Sequence, residues 1–591
     1  MINSEIAKIL YSIAELLELK GKANIFEIRA YTNAARKIEY LEKDLKSIYE
    51  LNGLEGLEEI EGIGESIAKN IEELLKTRKL KKIIDLQKKI PQVEFDLSKI
   101  PSIGPKTAQK LYDNFEPKTI LQMQSILHKS LVNDREGKKI LSKLSKLNIH
   151  EKTITRILQG FKTYQEAKTD RILYIKAKQI SDDIANAISK YPEIDKFKAV
   201  GSLRRKNETI GDLDFIVISN NRSETINKFT QESFVETVIN LGKIKTSIMT
   251  NNNIRCDLVF TNKKNWGSLL VHSTGSKEFN IKMREFSLSK NLSFSEYGFK
   301  QNSKIITCPT EDKVFDTLGL QYIPSELREG DNEIEKAQKK QIPKLVELSD
   351  ILGDLHLHTT ASDGHLLIAD LINLAENSQY QYIVISDHTK GLGVAGGLDE
   401  AGLSKQINEI KKINQKNTKF TILSGAEVNI MSNGNLDIDL KVLNQLDFVI
   451  ASIHSAMNQA QEEITNRYLR AIQSGAIQAI GHPTGRLIGE RPSIAANWDE
   501  IFKSCQKYNV ALEINSHPLR LDLPDKLVKI AKEKYHLKFV INTDTHRTEQ
   551  FDYMELGVNV ARRGWLTKSD ILNTMNIGDL KKYLKRGKCD S

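Results

Sequence analysis

The sequence has little of what marks a secreted, membrane-bound or disulfide-built chain. Only four of its 591 residues are cysteine (Cys256, Cys308, Cys505 and Cys589), and no CxxC pair occurs. That scatter argues against a disulfide scaffold or a cysteine zinc site, and it suits a reducing cytoplasm. No run of about 20 apolar residues is present, which excludes a spanning helix. The opening MINSEIAKILYS has no basic stretch leading into an apolar one, so no secretory signal is expected. Low-complexity tracts and long-period repeats are missing as well. Histidine is scarce in the front half: nine of the twelve (356, 358, 365, 388, 454, 482, 517, 536 and 546) follow residue 350. A front poor in histidine and a back rich in it point to two separate chemistries.

What remains is ordinary for a soluble globular protein, at 40% hydrophobic and 28% charged residues. At roughly 100–200 residues per domain, the length allows about three to five domains. Lysine plus arginine minus aspartate plus glutamate is 86 − 77 = +9, compatible with a polyanionic partner without establishing one. Residues 1–160 read as short helices. In the first, Ile6, Ile9, Leu10, Ile13, Leu16 and Leu17 paint one apolar face. Residues 170–320 mix helices with short β-type runs, FKAV (197–200), LDFIVIS (213–219) and RCDLVF (255–260), which predicts an α+β domain. Dense charge and two prolines in 321–350 mark a connector. From 351 onward, YIVISDH, FTILSGAEV, LDFVIASIH, NVALEINS and FVINTDTH alternate with helical stretches. Strand followed by helix, repeated, predicts parallel strands closed into an α/β barrel.

Two front segments share a pattern, LEEIEGIGESIAKNI (57–71) and LSKIPSIGPKTAQKL (97–111). Each reads as helix, tight turn, helix around an Ile-x-x-Ile-Gly core. Gly62, Gly64 and Gly104 let the backbone turn sharply, and the amides that open the second helix then face outward together. A plain helical hairpin would account for one copy. Two copies, with Lys106 beside the second, favour a helix-hairpin-helix grip on DNA phosphates without base reading.

The stretch AVGSLRRKNETIGDLDFIVI (199–218) carries most of the chemistry of the front half. Gly201 and Ser202 allow close approach to a phosphate, and Arg204 and Arg205 supply charged donors. Asp212 and Asp214 stand two apart on a strand, so both carboxylates face one way. Asp257 opens another apolar run on a neighbouring strand. Two divalent ions held there would activate a 3′-hydroxyl and neutralise a departing pyrophosphate.

In the back half, metal-capable side chains stand at strand ends. They are His356 and His358 with Asp363 after them, then His388, Glu427, His454, His482, Asp544 and His546. Ligands at successive strand ends converge at one mouth of a barrel. Imidazole with carboxylate suits zinc, manganese or iron, and nine ligands imply two or three ions. A lone histidine on an apolar strand is more often a satisfied core residue, but the recurrence at strand ends sets this group apart. His365, His517 and His536 fall outside the pattern and are expected at the surface or behind the ligands.

From about residue 5 to 322 the chain resembles the family X DNA polymerases, the group that includes polymerase beta and bacterial repair polymerases. The resemblance implies that Asp212, Asp214 and Asp257 are catalytic and hold Mg2+ or Mn2+. It implies triphosphate contacts for Gly201, Ser202, Arg205 and Gly211. STGSKEFNIKMR (273–284) resembles the family's thumb entrance, with Asn280 at the minor groove of the nascent pair and Arg284 on the template side. Glu296 and Tyr297 would support thumb closure. Two positions depart from the family. His272-Ser273 replaces an aromatic pair that crowds the sugar 2′-position, which bears on ribonucleotide exclusion. Asn70 falls where the family's lyase lysine belongs, with Lys69 adjacent but turned by about 100°. Asparagine forms no imine, so weak or absent lyase activity is expected.

From 351 to the C-terminus the motifs HLHT, SDG, SDH, GAEV, SIHS, GHP and TDTH resemble the PHP domain, the polymerase and histidinol phosphatase superfamily, with every ligand position filled. That resemblance implies a metal-dependent phosphoesterase, a 3′-5′ exonuclease whose range includes abasic sites and 3′-phosphates. The expected architecture has six parts: a lyase-like helix-hairpin-helix domain (1–90), a fingers-like helical subdomain (91–150), an α+β nucleotidyltransferase palm (151–260), a thumb (261–322), a linker (323–350) and an α/β PHP barrel (351–591). The expected protein is a cytoplasmic, monomeric repair polymerase. It fills short gaps in primed DNA from deoxynucleoside triphosphates and trims 3′ ends, with no membrane partner. The alternatives are a nuclease whose palm only binds ends, and a repair scaffold whose barrel metals are structural.

Overall fold

The computed structural model describes all residues except 1–2, 20–24, 40–44, 61, 78–79, 88–89, 99, 101, 169–170, 303, 417–419 and 587–591. It divides into two compact units, Met1–Lys168 and Thr169–Ser591.

The first unit is helical. Helix α1 (Asn3–Leu19) buries Ile6, Leu10, Ile13, Leu16 and Leu17, the stripe read from the sequence. The first hairpin joins α2 (Leu45–Glu58) to α3 (Glu65–Thr77), and the second joins α4 (Gln92–Ser98) to α5 (Pro105–Phe115). Their turns superimpose in bonding. Ile63 N–H donates to Ile60 O and Ile103 N–H to Ile100 O, each at 2.9 Å. Ile63 and Ile103 are both buried, which anchors each turn on the core. The first turn reaches φ +90° at Gly62, where glycine is the natural occupant. In the second the same place is taken by Ser102 at φ +73°.

The second unit begins with α6 (Tyr174–Ile188) and a five-stranded sheet. Its strands are β1 (Ile194–Ala199), β2 (Asp212–Ser219), β3 (Val235–Leu241), β4 (Lys245–Thr250) and β5 (Arg255–Thr261), in spatial order β1-β2-β5-β4-β3. The three apolar runs read from the sequence are β1, β2 and β5, adjacent to one another. β3 and β4 form a hairpin that extends the sheet to its edge. Helices α7 (Gly201–Arg204), α8 (Trp266–Thr274), α9 (Lys277–Ser289) and α10 (Glu311–Leu318) follow in chain order, with a small antiparallel sheet of β6 (Ser293–Ser295), β7 (Gly298–Gln301) and β8 (Lys304–Ile306) between the last two. Residues 323–345 pack closely: Ile323, Leu327, Ile334, Ile342 and Leu345 share a core with Phe279, Phe299 and Phe315.

The remaining strands are β9 (Gly353–Leu357), β10 (Tyr382–Ile385), β11 (Thr421–Asn429), β12 (Phe448–Ser452), β13 (Ala479–Ile480), β14 (Ala511–Asn515) and β15 (Phe539–Asn542). They are all parallel and lie in sequence order. Leu357 pairs with Thr545 just past β15, so the last strand returns to the first. The expected barrel is therefore present and nearly closed. Its strands are buried on both faces, which is why they read as continuous apolar runs and not as alternating ones. One hydrophobic core runs from the five-stranded sheet (Leu213, Phe215, Val217) into the barrel (Leu512, Ile514, Val558).

A buried ion triad pins α10. Glu311 accepts from Arg204 and from Arg328, each through a bond to its Oε1, at 2.8 and 2.7 Å. Arg328 is fully buried and its guanidinium lies over Phe315 and Tyr322. Burial alone would raise the Glu311 carboxyl, but Arg328 and Arg204 outweigh it and hold it at about 2, against an ordinary 4.5. A depressed carboxylate stabilises above its unfolded pKa, and that contribution is lost as pH falls toward the folded value. Glu311→Gln should therefore destabilise the protein by about 3–5 kcal/mol at pH 7, because two buried guanidinium groups lose their counter-charge. The gap to wild type should narrow between pH 4.5 and about 2, which calorimetric unfolding at pH 7 and pH 3 checks.

Candidate active sites

The five-stranded sheet sets the first site. β2 and β5 are parallel neighbours with Asp214 opposite Asp257 and Asp212 opposite Arg255. Asp212 is exposed, Asp214 half-buried and Asp257 buried. Burial, with Asp212 and Asp257 close by, raises the Asp214 carboxyl to about 7. Such crowding of like charge is what a bound cation relieves. Asp257 already has cations of the chain: Arg255 Nε donates to Oδ1 at 2.9 Å and Lys245 Nζ lies 2.6 Å from Oδ2. Among the described residues the three carboxylates do not gather into one group, and both Asp257 oxygens are engaged by cations of the chain.

α7 supplies the phosphate side. Gly201 stands at φ +65°, and a Cβ there would meet Asp214 Oδ2 at 2.9 Å, so the helix can sit on the carboxylates only with glycine. Ser202 follows at the same turn. Arg205 donates from Nη1 to Thr274 O at 2.6 Å and from Nε to Glu329 at 3.1 Å. Gly275 lies against Arg205 and Asn280, so α7 and the start of α9 meet there. Asn280 donates to His272 O at 2.7 Å, and its own buried Oδ1 has no partner. Arg284 bonds His272 Nε2 at 3.0 Å. The histidine ring at position 272 thus engages Arg284, while Asn280 uses only the backbone carbonyl there. Gly211 packs against Arg171. Glu296 is half-buried and Tyr297 exposed.

In the helical unit Gly62, Gly64, Gly104 and Lys106 are exposed around their turns. Pro105 at the first position of α5 has no N–H, so the second hairpin offers one amide fewer. Asn70 donates to Tyr31 at 2.7 Å, while Lys69 pairs with Glu65 at the surface. Lys82 also bonds Tyr31, at 2.8 Å, and Glu27 at 2.7 Å. Burial pulls its ammonium down, but Glu27 and Tyr31 raise it on balance, which keeps that amine protonated.

The second site fills one mouth of the barrel. Glu427 is its hub: His388 Nδ1, His482 Nε2, His454 Nε2, His356 Nε2 and His358 Nε2 lie 2.8, 2.9, 3.2, 3.5 and 3.7 Å from its oxygens. Asp544 faces His358 at 3.2 Å, and Asp363 faces His546 at 3.3 Å. Three overlapping groups are close enough to hold ions: His358, Asp363, His388 and His546; His356, His358 and Glu427; and His388, Glu427 and His454. His482 and Asp544 border them. All nine residues expected from the sequence therefore come together, with Asp363 at the exposed rim. Among the described residues no comparable group gathers elsewhere.

The field at this mouth is extreme. Burial, with His546 and His388 alongside, lowers His358 to about 3. Burial would lower His546 too, but Asp363 and Asp544 lift it to about 9. Asp363 falls to about 2 because His546, His388 and His358 outweigh its burial. Despite this crowding, His356 Nε2, both ring nitrogens of His358, Glu427 Oε2 and His482 Nδ1 are buried without a hydrogen bond. Buried ring nitrogens and carboxylate oxygens left without partners are costly unless a cation takes their lone pairs. The donor set fits divalent ions.

Several contributors escaped the sequence reading. Glu513, in β14, is fully buried and accepts from His356 Nδ1 at 2.7 Å and from the His482 amide at 2.6 Å. It fixes the tautomer that leaves His356 Nε2 facing the hub. Asn429 does the same for His454, accepting from Nδ1 at 2.7 Å. A glutamate inside the apolar run NVALEINS was the available signal for the first. Arg467, in α11 (Gln461–Gln473), is almost wholly buried and donates to Met431 O, Ser455 O and Gln459 Oε1 at 2.9, 3.2 and 2.8 Å. It ties the loops that leave β11 and β12 behind Glu427 and His454. Arg520 stands at the mouth 4.0 Å from Asp544, with Nη1 buried and unpartnered. Burial and the nearby charge of Arg520 together lower Arg491, whose Nε donates to Gly485 O at 2.8 Å. His517 is half-buried, and His365 and His536 are exposed.

Two sites of different donor chemistry, one of aspartates beside arginines and one of imidazoles around a glutamate, define a phosphoryl-transfer enzyme with two centres. Family models agree region by region. Residues 1–80 match a helix-hairpin-helix domain and 54–116 a helix-hairpin-helix tandem. Residues 269–329 match the DNA polymerase beta thumb, and 354–517 the PHP domain. Over 590 residues the chain is 34% identical to the DNA polymerase/3′-5′ exonuclease PolX of Bacillus subtilis (strain 168), covering 99% of this chain and 100% of that protein. It is 28% identical over 246 residues to a probable phosphatase of Thermoanaerobacter sp. (strain X514), covering 40% of this chain and 95% of that one. A probable phosphatase of Clostridium acetobutylicum is 31% identical over 203 residues, or 33% of this chain and 79% of that one. The chain belongs to the family X DNA polymerases that carry a PHP domain.

Because Glu513 orients His356 without joining the hub, Glu513→Gln should weaken metal binding at the barrel about 10–100-fold while the protein stays folded. Metal titration followed by isothermal calorimetry checks this; unchanged affinity would remove Glu513 from the site.

Proposed function

We propose that this chain is a repair DNA polymerase that fills short gaps and trims 3′ ends at a separate barrel site. The observation that carries the reading is the presence of both centres in one chain whose full length aligns with a polymerase/exonuclease. At the palm, Asp212, Asp214 and Asp257 hold Mg2+ or Mn2+, because hard carboxylate oxygens suit those ions. Ser202, Arg205 and the backbone at Gly201 and Gly211 take the triphosphate, and Asn280 and Arg284 test the nascent pair. At the barrel, His356, His358, Asp363, His388, Glu427, His454, His482, Asp544 and His546 hold two or three ions of manganese, zinc or iron. Divalent ions there supply a nucleophile at neutral pH and stabilise a departing oxygen. Glu513 and Asn429 keep their histidines aimed, and Arg520 offers its free guanidinium edge to the phosphate of the 3′-terminal nucleotide.

The hairpins around Gly62, Gly64, Gly104 and Lys106 grip the DNA backbone without reading bases. Gapped or primed DNA and deoxynucleoside triphosphates are the substrates, and abasic or 3′-phosphate ends fall within reach of the barrel chemistry. With Asn70 in place of a lysine, the lyase reaction is weak or absent by that route. No described helix is long and apolar enough to cross a membrane. A monomer in the cytoplasm suits this set of partners. One observation favours a nuclease with a binding-only palm: Asp257 is already neutralised by Lys245 and Arg255.

Asp214→Ala should abolish extension and spare 3′ degradation, and His356→Ala should do the reverse. Equal loss of both activities in a folded Asp214→Ala protein would overturn the two-site reading. Arg520→Ala should lower kcat/KM for 3′ degradation about 10–100-fold, the worth of a charge-assisted hydrogen bond, and leave gap filling unchanged. Steady-state kinetics on one labelled primer report all three.

A further inference from the structure

The palm and the barrel meet over the loop 201–212, and the contacts there are ionic and mostly buried. α12 (Met554–Arg563), which follows the last barrel strand, ends in Arg563. One donor atom of Arg563, Nη1, reaches three acceptors: Asn207 Oδ1 at 2.7 Å, Glu329 Oε1 at 2.8 Å and Arg205 O at 3.3 Å. Its other terminal nitrogen pairs with Asp525. Glu329 Oε1 is the same atom that receives Arg205 Nε at 3.1 Å. A carboxylate oxygen at the end of the thumb-matched segment is thus shared between an arginine of the barrel and an arginine of the palm.

The geometry determines what Arg205 has left to offer. Nε is held by Glu329 and Nη1 by Thr274 O, so the Nη2 edge remains for a ligand. Glu329 itself is one-third exposed and would swing into solvent if nothing held it. Arg563, only 10% exposed, is what holds it. We propose that Arg563 is a positioning residue for nucleotide addition: through the shared oxygen of Glu329 it fixes the Arg205 guanidinium so that its free edge faces the incoming triphosphate. The barrel then serves the polymerase centre directly, beyond carrying a phosphoesterase centre of its own. A guanidinium fixed in advance loses less freedom on binding, so the effect falls on nucleotide affinity. Lys206 to Asn559 at 2.7 Å and Arg486 to Glu208 at 3.1 Å fasten the rest of the loop to the barrel and leave Arg205 to the Glu329 link.

The inference rests on the reading of Arg205 as a triphosphate contact, and one set of full-length variants separates the two. Single-nucleotide gap filling gives KM for the nucleotide and kcat; 3′ degradation without nucleotides reports folding and the barrel. Arg205→Ala is the reference and should raise the nucleotide KM. Arg563→Ala and Glu329→Ala should each raise it about tenfold with kcat within about threefold, as expected when uniform binding is lost. The double variant should be no worse than Glu329→Ala, because both residues act through one atom. Arg563→Lys should recover part of the loss, and 3′ degradation should stay near wild type throughout. If Arg205→Ala raises KM while Arg563→Ala does not, or if the two effects multiply, the positioning role is wrong and the reading of Arg205 stands. If Arg205→Ala leaves KM unchanged, both fall. Should Arg563→Ala not fold, Glu329→Ala against Arg563→Lys decides by the same non-additivity.

Discussion

Glu427 is one fully buried carboxylate facing five imidazoles. Its oxygens lie between 2.8 and 3.7 Å from His388, His482, His454, His356 and His358. One negative charge cannot satisfy five such rings, and the orphaned nitrogens around it record the shortfall. Burial on this scale is tolerable only with cations among the ligands. The barrel follows from that requirement. Seven parallel strands in sequence order deliver their ends to one mouth, and Glu513, Asn429 and Arg467 behind them hold the rings and loops in place. The lowered His358 and raised His546 express the same imbalance in two directions.

The palm solves a related problem with different means. Three aspartates stand on two neighbouring strands, and the chain answers their charge with Lys245 and Arg255 on Asp257 while burial and its neighbours push Asp214 up to about 7. Hard oxygen ligands suit labile ions that arrive with substrate. The imidazole-rich barrel suits resident ones. Two centres with different donor chemistry thus stand on one chain, and the ionic seam along residues 201–212 joins the parts that bear them.

Local pattern made much of this legible. Strand period placed Asp212 and Asp214 on one face, and apolar runs ending in His388, Glu427 and His454 marked strand ends because the barrel buries both faces of its sheet. The Ile-x-x-Ile-Gly repeat gave both hairpins, even though Ser102 takes the positive φ that Gly62 takes in the first. What stayed hidden depends on residues far apart in the chain. Glu513 acts on His356 across 157 positions, and Arg563 acts on Arg205 across 358. Neither pairing leaves a periodic trace. The pairing of Asp257 with Lys245 stayed hidden because that lysine comes from β4, a strand with no apolar run long enough to announce it. The segment 323–345 reads as polar and charged, yet its few apolar side chains are spaced to complete the thumb core.

The most direct test of a chain with two working centres is a single gel. Labelled primer in a short gap is incubated with manganese, once with deoxynucleotides and once without. Extension in the first lane and stepwise 3′ shortening in the second are the predicted result. Shortening in both lanes with no extension would contradict it and leave the palm as a binding platform; extension with no shortening would contradict it from the other side and make the histidine cluster a structural metal centre.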